Sequence, residues 1–304
     1  MPELPEVETV KIGLNQHTLG WKIIGGEVLL PGVVSPSPDF QDPAEFLHLL
    51  QGCCFHVWQR RGKYLLASLT QPSGTVGGYL AVHLRMTGKL SWSEPDQPVH
   101  PHTRIRFFCH FNSHFSLEQS PHKELKQELK KELRFNDQRT FGKVWYVPPT
   151  IPPEARITGL QKLGLEPFAP GFDYHYLAAK FGRSSRPIKN LLLDQATLAG
   201  LGNIYVDESL FLACIHPLAP SNSLSISQVQ ALHQAIQQSL ADGISWGGTT
   251  FSDFADLGGE KGNYLDHAWV FRRQGQACHV CQTPIARIKL AGRSTHFCPN
   301  CQAH

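Results

Sequence analysis

The feature that most constrains this chain is a four-cysteine pattern near its end. Cys278-His279-Val280-Cys281 and Cys298-Pro299-Asn300-Cys301 form C-x2-C, sixteen residues, C-x2-C. Each pair can bite one tetrahedral metal ion, and the gap between the pairs fits one β-hairpin. Thiolates suit the borderline softness of zinc. Four sulfur ligands leave no open coordination position, so the pattern predicts one structural, non-catalytic zinc ion; a rubredoxin-like iron site is the alternative. Residues 267–304 contain no Asp or Glu but hold Arg272, Arg273, Arg287, Lys289 and Arg293. A stapled, acid-free hairpin suits phosphate, because guanidinium forks match phosphate oxygens.

The 304 residues are 41% hydrophobic and 17% charged. That composition excludes global disorder, and the length suggests two or three domains. No apolar run approaches the ~18–20 residues of a transmembrane helix. The start is acidic and proline-bearing, unlike a secretory signal. A cytosolic protein is expected, where disulfides are disfavoured. Cys53, Cys54, Cys109 and Cys214 lie among apolar neighbours and read as small buried hydrophobes. The net charge of +3 and pI near 8.4 are too mild to announce a nucleic-acid partner by themselves.

Residues 1–10 read as a helix start, with Pro5 in the first turn and Glu3, Glu6 and Glu8 at the positive end of the dipole. Residues 23–24, 27–30, 64–69, 79–84, 104–108 and 143–147 are short strand-like runs, several of them separated by Gly, Pro and Ser. Such a series predicts a β-sandwich or barrel. Residues 120–133 are highly charged, with leucines at 125, 129 and 133. They read as an expanded surface loop between two strands, a partner-binding helix being the alternative. The proline-rich stretch 148–153 reads as a stiff linker and domain boundary. Helical patterning follows at 173–182, 187–194, 205–215 and 227–243, the last with Val229, Leu232, Ile236 and Leu240 on one face. Residues 246–261 are Gly-rich and read as a mobile loop. The expected domains are 1–150, 151–262 and 263–304.

Two further segments carry chemistry. The turn Gly200-Leu201-Gly202-Asn203-Ile204-Tyr205 leads into a helix, whose exposed N–H groups bind anions. Asn203 adds an amide there, and Arg183, Arg186 and Lys189 supply cations upstream. At the other end, Met1 precedes the small residue Pro2, so trimming is expected to leave Pro2 with a free secondary amine. Such an amine has a pKa near about 7.7–8 and attacks electrophilic carbon to form an iminium ion. Glu3 and Glu6 are one helical turn apart, and Lys63 offers a third proton-handling group.

These segments occur in one order: MPELPEVETV at 1–10, Arg61-Gly62-Lys63-Tyr64, His83-Leu84-Arg85-Met86-Thr87-Gly88, Asp137-Gln138-Arg139-Thr140-Phe141-Gly142, Gly202-Asn203-Ile204-Tyr205 and the cysteine hairpin. Together they resemble the bacterial formamidopyrimidine-DNA glycosylase family over nearly the whole chain. The resemblance implies an α+β fold: an N-terminal β-sandwich with flanking helices, a helix–two-turn–helix domain and a C-terminal zinc β-hairpin. It implies a bifunctional glycosylase/lyase of base excision repair. That enzyme removes 8-oxoguanine and formamidopyrimidines from duplex DNA and cuts the strand by β,δ-elimination.

By the same resemblance Pro2 is the nucleophile at C1′, Glu3 the acid at the sugar ring oxygen, and Glu6 a supporting carboxylate. Lys63 contacts phosphate and assists elimination. Met86, Arg139 and Phe141 fill the void left by the flipped base, and unbranched apolar, planar cationic and aromatic groups suit that gap. His102, Lys189, Asn203 and Arg293 contact DNA, Arg293 at the phosphates flanking the damage, where it also counts among the catalytic residues; Arg186, one of the upstream cations, is a further expected DNA contact. Cys278, Cys281, Cys298 and Cys301 hold zinc. A monomer with no organic cofactor and no membrane contact is expected. Three features depart from the family pattern: the charged 120–133 segment, Ser184 and Ser185 where basic residues are usual, and loop 249–261, whose contacts to the flipped base cannot be assigned. A pyrimidine-preferring endonuclease VIII-type relative and a catalytically silent zinc-dependent DNA-binding module are the rival readings.

Overall fold

The computed structural model describes residues 1–111, 129–249 and 262–303. Helix α1 (Leu4–His17) opens the chain, with Glu6 in its first turn and His17 in its last, as the helix dipole favours. Strand β1 (Lys22–Val28) follows, then α2 (Pro43–Leu50), whose N-cap Asp42 accepts the N–H groups of Ala44 and Glu45. Strands β2 (Cys54–Arg61), β3 (Tyr64–Thr70), β4 (Val76–His83), β5 (Gly88–Ser93), β6 (Thr103–Phe111), β7 (Leu129–Asp137) and β8 (Lys143–Val147) complete an eight-stranded set. Their order is β5-β7-β6-β1-β2-β3-β4-β8, antiparallel throughout.

One register pair, Lys22 with Cys54, joins β1 to β2. The sheet therefore divides there into two four-stranded halves. Ile23, Ile105, Phe107 and Phe135 from one half share a single core with Phe55, Trp58, Leu65 and Leu80 from the other. Val7, Val10 and Leu14 of α1 and Phe46 and Leu50 of α2 pack into the same core. This is the expected sandwich with flanking helices.

Three strands and one helix had no clear signal in sequence: β2, β5, β7 and α2. The tail of the charged segment is corrected here, because residues 129–133 are neither loop nor helix but the first half of β7. Leu133 faces the core between Trp92 and Phe107 in the ladder, and Glu132 is buried between Arg106 and Arg134. The i, i+4 leucines mimic helix spacing, but pairing on both edges decides the matter. Residues 120–128 lie outside the described residues.

The proline stretch leads into two single-turn helices, α3 (Pro153–Arg156) and α4 (Thr158–Gln161). Helices α5 (Tyr174–Phe181), α6 (Ile188–Leu192), α7 (Asn203–Leu212) and α8 (Ile226–Ser245) follow close to the expected places. Ser225 and Gln228 form a reciprocal capping box at the start of α8. Strands β9 (Ala286–Leu290) and β10 (Arg293–Phe297) make the hairpin between the cysteine pairs. Ala291 and Gly292, both at positive φ, form its two-residue turn.

Two compact units emerge. One holds Met1–Pro2 and Val7–Gln161; the other holds Glu3–Glu6, Lys162–Thr250 and Asn263–His304. The helical and zinc segments fall within the second of these units, where Phe211 of α7 packs with Val270, Ile285, Cys278 and Cys298. Cys53 and Cys109 are buried as expected and Cys54 is half-buried, but Cys214 is exposed. It sits at positive φ just after α7, where the chain turns outward.

Candidate active site and nucleic-acid interface

Glu3 and Glu6 form the centre of the second unit's site, and both are buried. One Glu3 oxygen accepts the Ile204 N–H at 3.1 Å and the other the Tyr205 N–H at 3.4 Å. The carboxylate thus caps the amino end of α7, where unpaired N–H groups and the helix dipole favour negative charge. Gly202 makes this approach possible. A Cβ there would stand 2.2 Å from the Glu3 carboxyl carbon.

Glu6 is held by four donors. Its Oε2 accepts the N–H of Glu3 at 2.7 Å. Its Oε1 accepts the Tyr205 hydroxyl at 2.9 Å, the Thr249 N–H at 2.8 Å and the Thr249 hydroxyl at 3.0 Å. Burial, then the charges of Glu6 and Glu3, push the Tyr205 phenol well above its usual pKa, so it remains a donor. Sequence reading quoted Tyr205 within a motif and Thr249 at the start of a loop but gave neither a role, since their shared partner Glu6 lies about 200 residues and more away in sequence.

In the first unit, Pro2 is buried. Lys63 is also buried and follows Gly62, at positive φ, in the turn between β2 and β3. Tyr64 pairs with His83 in the ladder, and the two rings meet edge-on at 4.5 Å. Burial first, then the Arg85 and Lys63 charges, lower the His83 pKa to about 3. Its Nδ1 accepts the Arg85 N–H at 3.0 Å, so the neutral ring carries its proton on Nε2. His83 lies within a quoted motif, yet its role there was not anticipated.

The three void-filling candidates stand out from the surface. Met86 is 39% exposed and Phe141 52%, which argues against core packing for either. The Arg139 guanidinium lies over the Phe141 ring at 4.8 Å. Arg85 and Thr140 adopt positive φ although neither is Gly, so both loops carry strain. Asp137 holds them together. Its Oδ1 accepts the Thr87 hydroxyl, its Oδ2 accepts the Gly142 N–H at 2.7 Å, and the Thr87 oxygen accepts the Arg139 N–H at 3.0 Å. Asp137 is a second residue that sequence reading quoted without a role. His102 is half-buried and its Nδ1 lies 3.1 Å from the Arg104 guanidinium.

The remaining expected DNA contacts lie in the second unit. Arg186 is exposed and paired with Asp194 at 3.2 Å. Arg293 is exposed and opens β10, immediately after the hairpin turn. The Asn203 amide donates to the Ser294 carbonyl at 3.0 Å. Lys189 departs from its expectation as a phosphate cation. It is fully buried, its Nζ donating to Asp207 Oδ1 at 2.6 Å and to the Ser294 carbonyl at 2.9 Å. Burial in α6 opposite a buried carboxylate turns its charge inward.

The four cysteine sulfurs lie within 4.8 Å of one another. The Cys281–Cys298 and Cys278–Cys301 sulfurs are 3.4 and 3.9 Å apart. A tetrahedral zinc with bonds of about 2.3 Å requires edges of about 3.8 Å, so the donor set fits the ion. The N–H groups of Val280 and Cys301 donate to the Cys278 and Cys298 sulfurs at 3.4 Å, an outer shell that favours thiolate. Four sulfur donors leave no place for substrate, so zinc here staples the hairpin.

Comparison with known proteins bears on all of these elements. The formamidopyrimidine-DNA glycosylase N-terminal domain matches residues 1–144, its H2TH domain residues 163–255, and the zinc finger found in FPG and IleRS residues 275–303. The formamidopyrimidine-DNA glycosylase of Trichodesmium erythraeum is 50% identical over 311 residues, covering 99% of this chain and 100% of the relative. That of Rippkaea orientalis is 51% identical over 303 residues, covering 100% of each. Among solved structures, Lactococcus lactis Fpg with DNA containing an abasic site superposes with TM-score 0.82 at 32% identity, covering 99% of this chain and 100% of that one. MutM with DNA containing carbocyclic 8-oxo-G superposes with TM-score 0.82 at 33% identity, covering 100% of both. With half its residues shared along the full length of curated relatives, this chain belongs to the formamidopyrimidine-DNA glycosylase family.

Proposed function

We propose that this protein is a bifunctional DNA glycosylase and abasic-site lyase that removes oxidised purines from duplex DNA. The observation that carries the reading is the buried Glu3–Glu6 pair, seated on the amino end of α7 directly after Pro2. Half-identity over the full length to named glycosylases, and superposition on relatives bound to damaged DNA, support it.

With Met1 removed, the Pro2 amine attacks C1′ and the glycosidic bond breaks, the base leaving with a proton. Glu3 donates to the sugar ring oxygen as the ring opens, giving the iminium ion. Loss of a C2′ proton expels the 3′ phosphate, and a second elimination expels the 5′ phosphate. Lys63 serves the phosphate and these proton transfers. Glu6 holds the Glu3 backbone in place and touches no substrate. Met86, Arg139 and Phe141, held by Asp137, fill the vacated stack. Asn203 and Arg293 bracket a backbone phosphate. A DNA substrate places the protein in the cytoplasm at the nucleoid. No described helix is long and apolar enough to cross a membrane.

The test is borohydride trapping on duplex DNA carrying 8-oxoguanine. The trimmed protein should give a covalent adduct that Pro2→Gly weakens severely. No adduct from trimmed protein rejects the lyase mechanism. Faster excision of thymine glycol than of 8-oxoguanine would reassign the substrate to oxidised pyrimidines.

A further inference from the structure

The zinc-bearing segment carries no acid of its own, yet two carboxylates are built into its base. Both come from α7. Glu208 is fully buried and accepts the N–H groups of Trp269, Val270 and Phe271 at 2.8, 3.0 and 2.8 Å. Asp207, its neighbour, is also buried, and its Oδ2 accepts the N–H of His296 at 2.9 Å while the imidazole Nδ1 lies at 3.2 Å. Its Oδ1 holds the Lys189 ammonium, which donates onward to the Ser294 carbonyl. The Asn203 amide meets the same carbonyl. Two donors from two helices therefore converge on the carbonyl of Ser294, the residue next to Arg293.

We propose that Asp207 is a positioning residue that, through Lys189, fixes the Ser294 carbonyl and so aims the Arg293 guanidinium at the phosphate bracketed by Asn203. The argument is geometric. A buried ion pair is weak evidence for stability, because desolvation offsets much of its Coulomb energy, and its best-attested use is to specify one arrangement. Here the arrangement specified is the register of β10 against α6 and α7. The Lys189 ammonium donates to the carbonyl of the residue next to Arg293, and after burial the Arg293 charge also acts to lower the Lys189 pKa. Without Asp207 that repulsion and the cost of a lone buried ammonium would push the hairpin tip away. Arg293 follows a two-residue turn, so its exposed fork has little else to orient it.

The inference rests on Arg293 contacting phosphate, and the experiment separates the two claims. Affinity for a duplex with a tetrahydrofuran abasic analogue is measured for Asp207→Asn, Arg293→Ala and the combination, with zinc content determined for each. Asn keeps an acceptor for the His296 N–H. Arg293→Ala should weaken binding about tenfold and flatten the salt dependence by about one unit of slope. Asp207→Asn should do nearly the same with zinc retained. Added to Arg293→Ala, it should weaken binding by less than about twofold more, since both changes remove one contact. Single-turnover cleavage by Asp207→Asn at saturating enzyme should stay within about twofold of the parent. A structural role alone would lower both rate and affinity and would add to Arg293→Ala.

If Asp207→Asn does not fold, Lys189→Met combined with Asp207→Asn removes both buried charges together and should show the same affinity loss. Multiplying losses, loss of zinc, or unchanged affinity in the Asp207 variants overturns the proposal while leaving Arg293 in its role. Unchanged affinity in Arg293→Ala overturns both claims.

Discussion

The Glu6 carboxylate accepts the N–H of Glu3 at 2.7 Å, across one turn at the very start of the chain. That N–H belongs to the peptide joining Pro2 to Glu3, so Glu6 fixes the plane from which both leading groups project. With three more donors from Tyr205 and Thr249 on Oε1, most of the carboxylate's acceptor capacity is taken up inside the protein. That arrangement suits the orienting role proposed for Glu6.

Glu6→Gln puts an amide NH2 where one set of donors now points. A buried donor left facing donors costs about 1–3 kcal/mol. Glycosylase turnover should fall by about 10²-fold, the usual consequence of misplacing a reacting group by about 1 Å. Affinity for abasic-site duplex should fall far less. Single-turnover kinetics and a binding isotherm on the same variant check this; equal losses in both would contradict it.

Gly202→Ala tests the same geometry from the other side. The added methyl would meet the Glu3 carboxyl carbon at 2.2 Å and both its oxygens at 2.5 Å, so either Glu3 or the α7 turn must move. Base excision should drop sharply while lyase cleavage of a preformed abasic site is less affected. Assaying the two substrates side by side reads the difference.

Much of this was legible because chemistry-bearing residues sit in short local motifs. The cysteine spacing, the decapeptide and the glycines around Asn203 each imply a local geometry that the structure contains. What was not legible depends on strand partners far away in sequence. β7 begins in a segment whose leucines follow helical spacing, and its pairing with β5 and β6 overrides that pattern. Lys189 shows the same limit for a site. A lysine upstream of a Gly-rich turn, with Arg183 and Arg186, reads as a phosphate cation, and nothing in its neighbourhood announces Asp207, eighteen residues on. Tyr205, Thr249 and Asp137 likewise acquire meaning only from partners that the fold delivers.

Asp137 links the turn bearing Met86 to the turn bearing Arg139 and Phe141 through the Thr87 hydroxyl. Thr87→Val removes that hydroxyl at nearly constant shape and should cost about 1 kcal/mol of stability. The larger effect should appear in discrimination. The ratio of affinities for lesion and undamaged duplex should fall, because Met86, Arg139 and Phe141, proposed to fill the void, lose their common support. Competition binding with the two duplexes measures the ratio, and an unaltered ratio would show the loops to be independent.

The buried His83 imidazole sets a pH dependence whose sign is definite. Its pKa is lowered to about 3 in the folded protein, by burial and by the charges of Arg85 and Lys63. In the unfolded chain it is near 6.5. The contribution is therefore fully present above pH 6.5 and is lost as pH falls toward 3, by at most about 1.4 kcal/mol per pH unit. His83→Gln should flatten the denaturation midpoint against pH between about 4 and 6.5 relative to the parent. Parallel curves for the two proteins would show that the imidazole titrates alike in the folded and unfolded chain, contradicting the lowered pKa.

Removing zinc should affect the second unit and leave the first unit's core folded. The β9–β10 hairpin is short, and its cysteines Cys278 and Cys298 belong to a cluster with Phe211, Val270 and Ile285. A chelator takes the four thiolates' common partner, and so small a module lacks the core to hold its shape alone. The sandwich core, built from Phe55, Trp58, Phe107, Phe135 and their neighbours, contains none of these residues. Chelation should therefore weaken DNA binding and expose the amides of residues 275–303 to hydrogen exchange, while the amides of β2, β3 and β4 keep their protection. Glu208 and Asp207 grip the segment by its backbone, so exchange should begin at the cysteine knuckles and reach Trp269–Phe271 last. Uniform loss of protection across both units would mean that the metal stabilises the whole chain, and unchanged DNA affinity without metal would remove the hairpin from the binding surface.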